Sequence, residues 1–163
     1  MRWFRHLFAP TARKLFPPDA LDAITQAIAA GEQRHSGEVM FAVEADLALA
    51  ALWAGVTPRQ RAEAAFAQLR TWDTHANNGV LIYLLLADHA IEIVADRGLH
   101  GRVSPAQWQE ICRRMQGQLQ AREPVRAVVE AIEAVSSLIA EHYPAAPGQP
   151  NADELPNRPR FLG

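Results

Sequence analysis

The residues best equipped for chemistry lie between Asp73 and Gly101. Asp73, Asn77, Asn78 and Asp96 offer side-chain oxygens, a donor set that suits a hard cation such as calcium or magnesium. His75 and His100 would instead bring imidazole to a transition metal. Gly98-Leu99-His100-Gly101, with Arg97 and Arg102 beside it, precedes a helix starting near Ser104. Backbone N–H groups and positive charge there suit an anion or phosphate. A plainer reading stands beside each set. Asn and Asp also satisfy local backbone groups at turns and caps, and this glycine loop is not a phosphate-loop signature. Ser104 reads as a helix cap rather than a nucleophile. Cys112 falls on an apolar stripe, as an inert core thiol does.

The elements that must position these residues follow from hydrophobic spacing. A helix is expected from Asp19, as its cap, to about Arg34, burying Leu21, Ile24 and Ile28. Glu38 to Glu44 reads as a strand apolar on both faces, hence a central one. Leu47 to Ala54 is helical in propensity. Thr57-Pro58 starts a further helix carrying Ala62, Ala65, Phe66 and Leu69 inward. Asn78-Gly79 then turns the chain into a strand over Val80 to Ala87. Asp88-His89 makes a tight turn, with Asp88 tolerating the left-handed region, and Ala90 to Ala95 returns. Ser104-Pro105-Ala106-Gln107 is a capping box, and Pro124 opens the last helix.

The helical crossover between the first two strands favours a parallel pair, to which the hairpin adds an antiparallel strand. The expected fold is a three-layer α/β/α sandwich with a small mixed β-sheet containing a central hairpin. In that topology Asn77 and Asn78 precede one hairpin strand while Asp96, Arg97 and His100 follow its partner, so the two groups meet at one end of the sheet. Asp73 and His75 enter on the same side. Glu44, Asp46, Asp88 and His89 belong to the opposite end.

Composition limits the alternatives. The 163 residues fit one domain, and 16 basic against 18 acidic residues argue against broad nucleic-acid binding. The single cysteine excludes an internal disulfide and a multi-thiolate zinc site. No stretch is long and apolar enough to span a membrane, and the N-terminus lacks a signal-peptide core, so a cytoplasmic location is expected. Residues 1–17 form an aromatic-basic arm, either packed on the domain or contacting a protein or membrane surface. Residues 18–143 form the domain. Residues 144–163 form a proline-rich tail, expected to be disordered or extended along the surface, with Arg160-Phe161-Leu162 open to a second reading as a docking peptide.

The chain resembles the TPM-domain family. Asn78-Gly79-Val80-Leu81-Ile82-Tyr83 is similar to the family's Asn-Gly-Val-Leu-Leu strand, Ile91-Glu92-Ile93 to its return strand, and Gly98-Leu99-His100-Gly101 to the latter part of its glycine-rich loop. His35-Ser36-Gly37-Glu38-Val39 fits the approach to its first strand. The resemblance, to a short bacterial-type soluble member, implies an α/β/α sandwich, divalent-metal binding and acid phosphatase activity on a phosphorylated small molecule or protein. Combined with the residue reading above, a metal would fall to Asp73, Asn78 and Asp96, an anion to Arg97 and Gly98, and the catalytic work to Asp96 and His100. Asp96 stands where the family loop has its first glycine and His100 where it has glutamate. A competing expectation is a non-enzymatic interaction module using residues 1–17.

Overall fold

The computed structural model describes residues 11–148, 151 and 154–163. Four strands form one mixed sheet: β1 (Glu38–Glu44), β2 (Gly79–Leu85), β3 (Ala90–Ala95) and β4 (Arg160–Leu162). Their order is β3-β2-β1-β4, with β1 parallel to both β2 and β4 and β2 antiparallel to β3. Every residue of β1 and β2 is buried, as expected for inner strands covered on both faces.

Alternation divides these strands between two cores. Val39, Phe41, Val43, Val80, Ile82 and Leu84 face a layer of three helices, α2 (Pro18–Glu32), α5 (Pro105–Gln120) and α6 (Pro124–His142). Met40, Ala42, Leu81, Tyr83 and Leu85 face α3 (Leu49–Trp53) and α4 (Pro58–Gln68). These are the three layers expected from the sequence. A short α1 (Ala12–Leu15) leads into the first core, where Phe16 meets the Phe41 ring edge-on at 5.6 Å. Most of the N-terminal arm, residues 1–10, lies outside the described residues.

Local signals account for most boundaries. Thr57 with Gln60 and Ser104 with Gln107 form capping boxes, each followed by proline at the first helical position. The start of α2 differs from expectation: Pro17 occupies the cap and Asp19 sits in the first turn, where its charge complements the helix dipole. In the hairpin turn His89, not Asp88, takes the left-handed conformation, at φ 51°.

The tail is the principal departure. Arg160–Leu162 is not a disordered end but strand β4, paired with Ala42–Glu44. Leu155 is buried in the second core, Asn157 Nδ2 donates to Glu32 Oε2 at 2.8 Å, and the Glu154 backbone N–H donates to Glu38 Oε1 at 3.1 Å. The open edge of β1 supplies the unpaired backbone groups that order it.

Candidate functional site

At the N-terminal end of β1 and β2 the expected loops do meet. The Asp96 N–H donates to the Gly79 carbonyl at 2.9 Å and the Gly98 N–H to the Asn77 carbonyl at 2.8 Å. Close backbone approach explains the glycines. A Cβ on Gly79 would stand 1.9 Å from the Thr71 carbonyl oxygen. On Gly98 it would stand 2.5 Å from the Asn77 oxygen and 2.9 Å from the Tyr143 hydroxyl, which itself donates to the Gly98 carbonyl. The Gly98 N–H is therefore committed to Asn77 and is not a free anion donor. Arg97 is exposed beside it.

The side chains at this end do not all converge. Opposed residues of an antiparallel pair share a face, so Asp96 belongs with Gly79, on the Thr71 side. Asn78, one residue earlier, turns to the other face with Val80. Its Cγ lies 3.4 Å from the point where Gly37 would carry a Cβ, and Ile139 packs at that same point. The Asn78 N–H donates to Thr74 Oγ1 at 3.1 Å, while neither polar atom of its buried side chain finds a hydrogen-bond partner among the described residues. Asp73 is half exposed and ion-paired to Arg70 at 2.6 Å. The set Asp73, Asn78 and Asp96 thus shares one end of the sheet without sharing a pocket.

A different row does form. Glu38 pairs with Gly79 across β1–β2, and Gly79 stands opposite Asp96. Glu38 and Asp96 therefore flank a glycine on one face, and the Thr71 carbonyl occupies the space a side chain would fill. Asp96 Oδ1 accepts from the Arg97 N–H at 2.7 Å, and Oδ2 is buried with no hydrogen-bond partner among the described residues. Glu38 is fully buried. These are hard oxygen donors of the kind calcium and magnesium take. Among the described residues no group of three or more His, Cys, Asp or Glu side chains is placed to hold a metal ion. Protein ligation by this row would thus rest on two carboxylates and a backbone carbonyl.

His100 is exposed, and its Nε2 lies 3.1 Å from the Ala95 carbonyl. That carbonyl points outward from the free edge of β3. The neighbouring outward carbonyl, of Ile93, accepts from Arg59 Nη1 at 2.7 Å. A groove of about 540 Å³ runs along this edge, lined by Arg59, His100, Trp108 and Cys112 among others. Burial, reinforced by the nearby Glu92 charge, pushes the Cys112 thiol up to about 11. It is not an activated nucleophile.

Two polar groups named in the sequence are buried in a way its motifs do not signal. At the far end of β1, Glu44 accepts from Arg61 through both oxygens, at 2.8 and 3.0 Å, and from the Tyr83 hydroxyl at 2.5 Å. Burial and this carboxylate raise the Tyr83 hydroxyl pKa well above its usual value. In the sequence Glu44 reads only as a strand end. Its signal was position, since an even-numbered residue of β1 must face the same core as Met40 and Ala42. The second is His35, fully buried, with Nδ1 3.1 Å from the Gly37 carbonyl.

A mixed four-stranded sheet between helical layers, with backbone-laced loops at one end, defines an α/β/α sandwich of a recognisable class. The TPM domain family matches residues 11–138, most of the chain, and the protein belongs to that family. The NMR structure of BA42 protein from the psychrophilic bacterium Bizionia argentinensis is similar throughout, with a TM-score of 0.78 at 26% identity, covering 93% of this chain and 99% of that one. No curated protein matches the chain. No helix among the described residues is long and apolar enough to cross a membrane.

Proposed function

We propose that this TPM domain binds a divalent cation, calcium or magnesium, at the end of the sheet where Glu38 and Asp96 flank Gly79. The observation that supports the reading is the buried Asp96 Oδ2, a carboxylate oxygen with no hydrogen-bond partner among the described residues, in the same row as a second carboxylate and beside a backbone carbonyl. By the loop resemblance Asp96 stands where the family has a glycine, which would make this carboxylate a feature of this chain's own loop. A bound cation would supply Lewis acidity toward a phosphoryl oxygen. On that basis weak phosphatase chemistry on a phosphorylated small molecule or protein is the natural extension, with the exposed Arg97 as the anion contact and His100, held at Ala95 on the same loop, as the imidazole.

The test is a calcium and a magnesium titration followed by amide NMR. Shifts should cluster at Glu38, Thr71, Gly79 and Asp96 and be lost in Asp96→Asn. An unchanged spectrum at millimolar metal overturns the reading. Phosphatase activity that persists in folded Asp96→Asn would assign the chemistry to another site.

A further inference from the structure

The C-terminal segment Glu154–Gly163 sits in a slot built by the rest of the domain. Three kinds of contact define that slot. Strand β4 extends the sheet by parallel pairing with Ala42, Val43 and Glu44. Leu155 fills a place in the core beside Met40 and Leu81, and Arg13 lies 5.1 Å above the Phe161 ring. Polar side chains then fix the register. Asn157 bonds Glu32, the Glu154 N–H bonds Glu38, and the Glu154 carboxylate accepts from the His75 N–H at 3.0 Å. Backbone pairing on an open edge with side-chain pockets for selectivity is how domains bind extended peptides.

The attachment is short. Of the segment's apolar side chains Leu155 and Pro159 are buried and Phe161 and Leu162 half-buried, and β4 has three residues. The Ala145 N–H is still held by the Arg34 carbonyl at 3.0 Å. Asn151 Nδ2 also donates to the Gly37 carbonyl at 3.2 Å. With that bond released, the eight residues 146–153 that join Ala145 to Glu154 can extend about 27 Å, close to twice the radius of gyration of about 15 Å for a domain of this length. The segment can therefore reach the slot of an adjacent molecule.

We propose that the β1 edge is a strand-docking site that accepts Glu154–Gly163 from a second copy of this chain, giving an exchanged dimer. An incoming identical segment makes every contact of the resident one from Glu154 onward, so exchange sacrifices the Asn151–Gly37 bond and the advantage of tethering. A short tether supplies an effective concentration in the millimolar range, so exchange should emerge as chain concentration approaches about 1 mM. This inference does not depend on cation binding.

The experiment uses the full chain. Isotopically labelled and unlabelled protein are unfolded together in urea and refolded at about 0.02 mM and about 1 mM, then sized by light scattering. A dimer should form at the higher concentration, and filtered NOE spectra should show contacts between Phe161 of one molecule and Val43 of the other. Leu155→Ser combined with Phe161→Ala should abolish the dimer while the β2–β3 amide signals persist. If the double variant loses those signals, Phe161→Ala alone serves, with a dimer fraction at least halved. A monomer at both concentrations, or a dimer without intermolecular Phe161–Val43 contacts, overturns the proposal.

Discussion

His35 should make this protein sensitive to acid above the range in which its carboxylates titrate. The ring is fully buried, its Nδ1 faces the Gly37 carbonyl, and its Nε2 finds no hydrogen-bond partner among the described residues. Burial, assisted by the Arg34 charge and only partly opposed by the Gly37 bond, lowers its pKa to about 4. In the unfolded chain the imidazole has its ordinary value, near 6.5. Above that pH both states are neutral and His35 contributes no pH dependence. Below it the unfolded chain takes up a proton that the native state refuses. Stability then falls by roughly 1.4 kcal/mol per pH unit until the native ring also protonates near pH 4. The full loss is about 3 kcal/mol, a substantial share of the 5–15 kcal/mol that holds a typical domain together. The measurement is urea unfolding at pH 7.5, 6.5, 5.5 and 4.5 for wild type and His35→Asn, whose amide nitrogen takes the place of Nδ1 and keeps a donor for Gly37 without a titrating group. Background carboxylates contribute equally to both, so their difference isolates His35. The wild type should lose about 1 kcal/mol relative to the variant between pH 6.5 and 5.5, and about 1.2 more between 5.5 and 4.5. Parallel curves, or a ring proton in the native state that titrates near 6.5, would refute the reasoning.

Further outcomes follow from the same geometry. Glu44→Ala leaves the Arg61 guanidinium and the Tyr83 hydroxyl without their acceptor and should cost about 3 kcal/mol in urea unfolding, with little change in 1 M salt. Gly79→Ala drives a methyl into the Thr71 carbonyl and should cost at least about 2 kcal/mol by thermal melting, whereas Gly117→Ala, with open space around it, should be neutral or stabilising. Ser104→Ala should cost about 1 kcal/mol through loss of the cap. Alkylation of Cys112 by iodoacetamide at pH 8 should run roughly a hundredfold slower than for a free thiol and recover in denaturant.

Much of the architecture was readable because it depends on short-range signals. The apolar run Val39–Val43, the cap pairs Thr57/Gln60 and Ser104/Gln107, and the turn before Gly79 each name their own structure. The meeting of the Asn77 and Asp96 loops was also accessible, since it needs only strand direction. Which side chains point together was harder, although the same alternation that assigned the cores separates Asn78 from Asp96. The missing step was to carry that alternation one residue past each strand end. Glu38 was overlooked because a strand-initial glutamate ordinarily faces solvent. Here the tail covers it. Strand β4 was legible only in the docking reading of Arg160-Phe161-Leu162: three residues set among prolines carry no periodicity, and their order comes from the unpaired edge of β1, more than a hundred residues away in the chain.

The free edge of β3 has a consequence for how the protein behaves in concentrated solution. A sheet with a bare edge invites identical molecules to stack strand on strand, the route to fibrils and precipitates. On β3 the outward carbonyl of Ile93 is taken by the Arg59 guanidinium and that of Ala95 by the His100 ring. A cation and an imidazole stand where a foreign strand would have to bond. Losing either would uncover an adhesive seam, so Arg59→Ala or His100→Ala should lower solubility before it lowers the melting temperature.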